Sequence, residues 1–231
     1  MPTRIIPTYI SSKEILEKWL VSAEKHFGGF VKGIKKRKVS PKDPRRYDVA
    51  MAVKMQGGDR MAFHGYAGKY AQYLTPVLVG YVLNGKPLTI VEVGILKGTG
   101  LAVWADLFPK CRLIGLDIDL SFFVENRDFL KKCGAFKSTK AELYEFDQYA
   151  NNSQLMRKIL NGSGIDICVD DGTHANEPIL RTFESMRPYL ASRFIYFIED
   201  NADVHKYIKK RFTDFNVESA GELTIITPKL V

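Results

Sequence analysis

The sequence predicts an α/β fold with a seven-stranded, mostly parallel sheet, and three observations carry that prediction. From Thr89 to Asp119 a strand, a glycine turn, a helix and a second strand follow in one unit. Short apolar runs then alternate with helix-period segments as far as Tyr189. The chain closes with two short strand-like runs, Phe215–Val217 and Leu223–Ile226, the pattern of a terminal antiparallel hairpin.

The 231 residues are enough for one large core, with 45% hydrophobic and 26% charged residues. No apolar run approaches the ~18 residues of a membrane helix, and the start MPTRIIPTYISS lacks a signal-peptide core. Cys111, Cys133 and Cys168 are odd in number and widely spaced, which fits a reduced, cytoplasmic protein.

In chain order, Ser11 or Ser12 can cap a first helix with the apolar face Ile15, Leu16, Trp19, Leu20 and Ala23. The net charge of +8 is concentrated next, between Lys32 and Arg46, where only Asp43 is acidic. Pro41 and Pro44 disfavour regular structure there. The segment reads either as a solvated connector or as a contact for a phosphate-bearing substrate or polymer. A glycine-opened stretch follows and leads into a helix with Tyr66, Tyr70, Tyr73, Leu74 and Val77 at helical spacing. Those tyrosines suit a core or a rim, whereas Asp59, Arg60 and His64 before them are too polar for packing and suit a loop over a ligand.

Thr89–Val93 reads as a strand buried on both faces. Gly94, Gly98 and Gly100 follow, and Leu101, Val103, Trp104, Leu107 and Phe108 pack the next helix. A phosphate-cradling P-loop would need Lys-Ser or Lys-Thr after its last glycine, but Leu101 follows Gly100. A dinucleotide fingerprint would need G-x-G-x-x-G, and the spacing here is G-x-x-x-G-x-G with Glu92 two residues before. That arrangement resembles motif I of the class I S-adenosylmethionine methyltransferases, whose Rossmann-like fold is then expected. The resemblance implies that the glycines and Glu92 line the methionine and ribose of the cofactor. Asp117, ending the next strand, would accept from the ribose hydroxyls.

A helix Phe122–Lys132 and a strand Leu143–Phe146 come next, and Asp147 and Gln148 stand where a nucleotide edge would lie. Asp147 could equally cap the helix Gln154–Leu160. The strand Ile165–Val169 ends in Asp170, Asp171, Gly172, Thr173 and His174; Phe194–Ile198 ends in Glu199, Asp200 and Asn201. Adjacent carboxylates at strand ends repel unless a cation or a protonated histidine offsets them, and oxygen donors of this kind suit Mg²⁺. Asn176–Tyr189 and Val204–Phe212 read as the last helices.

In this order, GGDRMAFHGYAGKY, VEVGILKGTG, GLDID, FDQ, VDDGTHANE and FIEDN resemble the metal-dependent sugar O-methyltransferases of the macrocin and mycinamicin type, over roughly residues 55 to 201. The resemblance implies Asp171, Glu199 and Asp200 as Mg²⁺ ligands and His174 as general base, with Asp171 also at the catalytic centre. It implies a cofactor site of Glu92, Gly94, Gly98, Gly100, Asp117, Asp147, Gln148 and Asp170, completed by Arg60, His64, Tyr66 and Tyr70. Arg60 stands where the family commonly has lysine. The expected organisation is an N-terminal helical extension and lid, residues 1–85, before an S-adenosylmethionine-binding domain, residues 86–231. The expected substrate is a small-molecule or glycan sugar, with or without phosphate, and a homo-oligomer is compatible with the resemblance. Two other readings are a nucleic-acid methyltransferase and a cofactor-binding protein without catalysis. Against the former, an acidic cluster replaces the Asn-Pro-Pro-Tyr type of motif after the fourth strand, so nucleic acid is not the expected partner.

Overall fold

The computed structural model describes residues 12–28 and 58–229 and, as backbone, the strands Lys36–Val39 and Tyr47–Ala50. The rest of the basic segment between Lys32 and Arg46 lies outside the described residues. Two compact units make up the chain. One comprises residues up to Leu88 with Leu96–Leu113 and Ser121–Ala141, and the other Thr89–Ile95, Ile114–Leu120 and Glu142 onward. Among the described residues no helix is long and apolar enough to cross a membrane.

The first unit is largely helical. Helix α1, Lys13–His26, begins because Ser12 holds extended backbone and its hydroxyl accepts the Ile15 N–H at 3.4 Å. Leu16, Leu20, Ala23 and Glu24 form its buried stripe. Strands β1, Lys36–Val39, and β2, Tyr47–Ala50, pair antiparallel with Lys36 opposite Ala50 and Val39 opposite Tyr47. Regular structure therefore stands on either side of Pro41 and Pro44 in sequence. Helix α2, Ala67–Asn84, stops where Gly85 turns left-handed and donates to Tyr81. Helices α3, Thr99–Leu107, and α4, Ser121–Lys132, complete the unit. Tyr70 of α2 stacks on Trp104 of α3 with ring centroids 5.6 Å apart. Such a pair contributes about 0.5–1.5 kcal/mol beyond the area it buries.

The second unit is organised on a sheet. Its strands are β3 Thr89–Val93, β4 Arg112–Asp117, β5 Ala141–Glu145, β6 Ile165–Asp170, β7 Leu190–Ile198, β8 Phe215–Ala220 and β9 Leu223–Pro228. They lie in the order β5-β4-β3-β6-β7-β9-β8. β6 runs parallel to both β3 and β7, with Val93 opposite Asp170 and Asp170 opposite Ile198. β9 enters antiparallel between β7 and β8. Helices α5 Ser153–Leu160, α6 Asn176–Met186 and α7 Val204–Arg211 follow β5, β6 and β7. The core beneath them includes Val91, Val93, Ile114, Leu116, Cys168, Phe183, Tyr196 and Ile198. Phe183 holds α6 to it through edge contacts to Tyr196, Phe212 and Phe215, at centroid distances of 5.2, 5.0 and 5.6 Å. Pro178 sits in the first turn of α6, where its missing N–H breaks no helical bond.

The order fixes where chemistry can happen. The sheet grows from β3 through β4 to β5, then resumes on the other side of β3 with β6. Chain connections leaving β3 and β6 therefore diverge and open a crevice at their carboxyl ends, the position where ligands bind in open α/β sheets.

Candidate active site

At that crevice the backbone of β3 and the loop after β6 are in contact. The Asp171 N–H donates to the Val93 carbonyl at 2.9 Å, and Gly94 donates to Leu116 at 2.8 Å. A Cβ on Gly94 would lie 2.0 Å from the Asp171 carbonyl oxygen, and Gly94 also holds φ 80°. Glycine is thus demanded by protein packed on protein, a tighter reason than the ligand approach expected from the sequence. In the first unit Gly98 holds φ 79° at the start of α3, and a Cβ there would meet the Phe123 ring at 2.3 Å. Gly100 lies in the first turn of α3. Glu92 is buried on β3 opposite Val169.

The acids converge at the ends of β6 and β7. One ligand atom each from Asp171, His174 and Asp200 lies within 4.8 Å of the others. Two hard carboxylate oxygens and an imidazole nitrogen at that spacing fit a divalent cation. His174 and Asp200 both hold left-handed backbone, φ 55° and 56°. Non-glycine residues pay for that geometry, and such strain collects at functional sites. Glu199, expected as a ligand, is not in this grouping. Its side chain is 1% exposed, and its charge acts on Asp170.

Asp170 is fully buried, with its Oδ2 lacking a hydrogen-bond partner among the described residues. Burial pushes its carboxyl from the ordinary 3.8 up to about 7, and the Glu199 charge adds to the rise. The Gln148 hydrogen bond, the His174 charge and the Gly172 backbone act the other way.

Gln148 corrects an expectation. Its Nε2 donates to Asp170 Oδ1 at 2.8 Å and Thr182 Oγ1 at 3.1 Å, while its Oε1 accepts the Thr173 N–H at 2.7 Å. Both amide hydrogens and the carbonyl oxygen are committed inside the protein, so the side chain clamps the acid loop and has no donor left for an adenine edge. Asp147 takes up a local turn, its carboxylate accepting the Tyr149 N–H at 2.9 Å. It does not cap α5, whose N-cap position is Asn152. Asp117 ends β4 with its side chain buried and Oδ1 accepting the Asp119 N–H at 3.0 Å.

In the first unit, the turn carrying Arg60, His64 and Tyr66 is held by a residue the sequence reading missed. Glu24 accepts the Met61 and Ala62 N–H groups, both at 3.0 Å, from a position 1% exposed. Burial raises its carboxyl above the ordinary range, against the Met61 hydrogen bond and the Arg60 charge. The signal was present: Leu16, Leu20 and Glu24 recur every four residues, which places Glu24 on the buried face. Arg60 lies over the Trp104 ring at 5.6 Å. His64 approaches Asp59 at 3.6 Å and stacks on Tyr66 at 5.4 Å. Burial alone would raise Asp59, but the hydrogen bond and charge of His64, with Arg60, bring it below the usual range. Tyr70, expected at the cofactor, is 0% exposed against Trp104 and belongs to the core. Tyr66, one turn earlier on the same face, is buried as well.

A seven-stranded sheet in this order, with the last strand inserted antiparallel and the crevice between β3 and β6, is the fold of the class I methyltransferases. No protein-family model matches the chain. Among solved structures it resembles the MycE methyltransferase of the mycinamycin pathway in complex with Mg, SAH and mycinamycin VI, with a TM-score of 0.52 at 18% identity, covering 85% of this chain and 54% of that one. In sequence it is 25% identical over 154 residues to the 8-demethyl-8-alpha-L-rhamnosyl tetracenomycin-C 2'-O-methyltransferase of Streptomyces olivaceus, covering 62% of this chain and 35% of that protein. It is 24% identical over 158 residues to the L-olivosyl-oleandolide 3-O-methyltransferase of Streptomyces antibioticus, 65% of this chain and 36% of that protein. The chain therefore spans about a third of the length of these curated relatives.

Proposed function

We propose that this chain is an S-adenosylmethionine-dependent O-methyltransferase that methylates a sugar hydroxyl with the help of Mg²⁺. The observation that carries the reading is the grouping of Asp171, His174 and Asp200 at the crevice of a class I methyltransferase fold. The names of the relatives above support the same substrate class. Asp171 and Asp200 would hold the ion, with Glu199 adding negative charge from beside Asp170. Bound there, Mg²⁺ would supply Lewis acidity that makes a substrate hydroxyl more acidic. S-adenosylmethionine would supply an electrophilic methyl on a positive sulfur.

The chain's own residues would do the rest. The turn from Gly94 to Gly100 would receive the methionine and ribose of the cofactor, and Asp117 would accept from the ribose hydroxyls. His174 would take the proton of the acceptor hydroxyl on a ring nitrogen, which requires the neutral imidazole. Asp171 would orient the acceptor oxygen beside that nitrogen, and alignment with the methyl would provide most of the acceleration.

The test is direct. S-adenosylmethionine and a panel of glycosides and nucleotide-linked sugars are incubated with the protein, with Mg²⁺ or with EDTA, and methylated product is read by mass spectrometry. Mg²⁺-dependent transfer to a sugar oxygen is the expected result. Tight cofactor binding without transfer to any acceptor would overturn the reading.

A further inference from the structure

We infer that Asn201, through its side-chain amide, is the positioning residue that holds the ligand Asp200 and the base His174 in place at one cation site. This rests on the metal reading given above. Asn201 follows Asp200 directly and is 9% exposed. Its Nδ2 donates to the His174 carbonyl oxygen and to Asn176 Oδ1, both at 2.9 Å. Its Oδ1 accepts the N–H groups of Asp203 at 2.8 Å and Val204 at 2.7 Å, at the start of α7. Its own N–H donates to Glu222 at 3.0 Å, in the turn between β8 and β9. Both amide hydrogens and the carbonyl oxygen are in use, so the side chain has one orientation and can take no other without leaving a buried group unpaired.

The physical demand for such a residue comes from the two left-handed residues it touches. A non-glycine residue keeps φ near +55° only when its surroundings over-determine it. Asp200 is fixed through the covalent bond to Asn201, whose carbonyl oxygen is anchored to α7. His174 is fixed through the hydrogen bond to its own carbonyl oxygen. A single amide therefore sets both conformations, and with them the approach of the Asp200 carboxylate to the His174 ring. Groups that orient metal ligands in this way typically change affinity about 10- to 100-fold when removed.

A merely structural role, capping α7, is separable from this one. Asn201→Asp keeps the acceptor for Asp203 and Val204 but cannot donate to His174. Asn201→Ser likewise retains an acceptor without the amide and without added charge, and Asn201→Ala removes both functions. The experiment is calorimetric titration of the full chain with Mg²⁺ and, separately, with S-adenosylhomocysteine, alongside thermal melts. The inference expects N201D and N201S to bind S-adenosylhomocysteine as the wild type does, with N201D melting lower because its second carboxylate oxygen faces the His174 carbonyl and Asn176 Oδ1. The Mg²⁺ affinity of both variants should fall about tenfold or more, and N201A should also melt several degrees lower. Wild-type Mg²⁺ affinity in whichever of N201D and N201S folds would overturn it and leave Asn201 as a helix cap. A wild-type chain that binds no Mg²⁺ would overturn the metal reading itself, a result distinct from equal binding by wild type and variant.

Discussion

His174 and Asp200 meet across the ends of β6 and β7 with the same left-handed backbone, φ 55° and 56°, and with a ring nitrogen and a carboxylate oxygen within 4.8 Å. That shared geometry separates two consequences of replacing the histidine. His174→Gly and His174→Ala should both lower turnover by roughly 10² to 10⁴, the contribution of a positioned base. They should differ in stability, because alanine at this φ is strained and glycine is not. His174→Gly should be the more stable by about 1 kcal/mol in chemical denaturation. Equal stability would mean that the loop relaxes and the strain belongs to the histidine alone.

Asp117 makes a second separation. Its buried carboxylate accepts the Asp119 N–H, and in the proposed site it would also accept from the ribose hydroxyls. Asp117→Ala should weaken S-adenosylmethionine binding by about 1 to 3 kcal/mol in calorimetry, the range for hydrogen bonds to a charged group. Unchanged affinity would remove Asp117 from the cofactor site.

For the acid cluster, Asp171→Asn should lower Mg²⁺ affinity and turnover while leaving S-adenosylhomocysteine binding intact, since it removes one charge from the ion and none from the cofactor. Exhaustive chelation should abolish transfer in the wild type, and re-added Mg²⁺ should restore it. Full activity in the chelated protein would count against a metal role for the cluster.

Asp170 predicts a pH dependence whose sign can be worked out. Its folded-state value is raised, so the native protein retains a proton that the unfolded chain releases above 3.8. Stability from this group is fully present below that value and is lost as pH rises through about 7. At about 1.4 kcal/mol per pH unit the window corresponds to about 4 kcal/mol in the metal-free protein. Asp170→Asn keeps the acceptor for Gln148 and removes the titration. Denaturation in EDTA should show wild type losing ground to D170N between pH 4 and 7. Parallel curves would place the charge cost elsewhere.

Glu24 predicts an effect at a distance in sequence. Removing the acceptor of the buried Met61 N–H and of the part-buried Ala62 N–H leaves the first unsatisfied, so Glu24→Ala should destabilise by about 1 to 3 kcal/mol. Amide exchange of Met61 and Ala62 should accelerate in the same variant. Protection unchanged at both amides would show that the turn is held by other contacts.

Much of this was legible in the sequence because the relevant signals are local. The glycine turn, the apolar runs of β3, β6 and β7, and the acids at their ends are each written in a few consecutive residues. What escaped were the long-range polar commitments. Nothing near Gln148 announces Asp170 and Thr182 as its partners, and its role was read from its place at a strand end. Asn201 carries the local signature of a helix cap just before α7, yet the other half of its amide reaches a loop that only the sheet order brings alongside. Tyr70 follows its helical spacing, which suits a core, and not the cofactor role that the resemblance implied; Trp104 is the partner it stacks on. The strands β1 and β2 were hidden by the prolines between them.

The contact of Gly94 with the Asp171 carbonyl has a consequence for inheritance. The two positions lie far apart in sequence but share one volume, and the acid loop can keep its path only while the exit of β3 has no side chain. A chimera that receives its β6 loop from another methyltransferase must also have a glycine at the end of its first sheet strand. Grafting cation-assisted chemistry onto a related scaffold is then a two-segment transplant, and a graft of the acids alone would be expected to displace the very backbone that presents them.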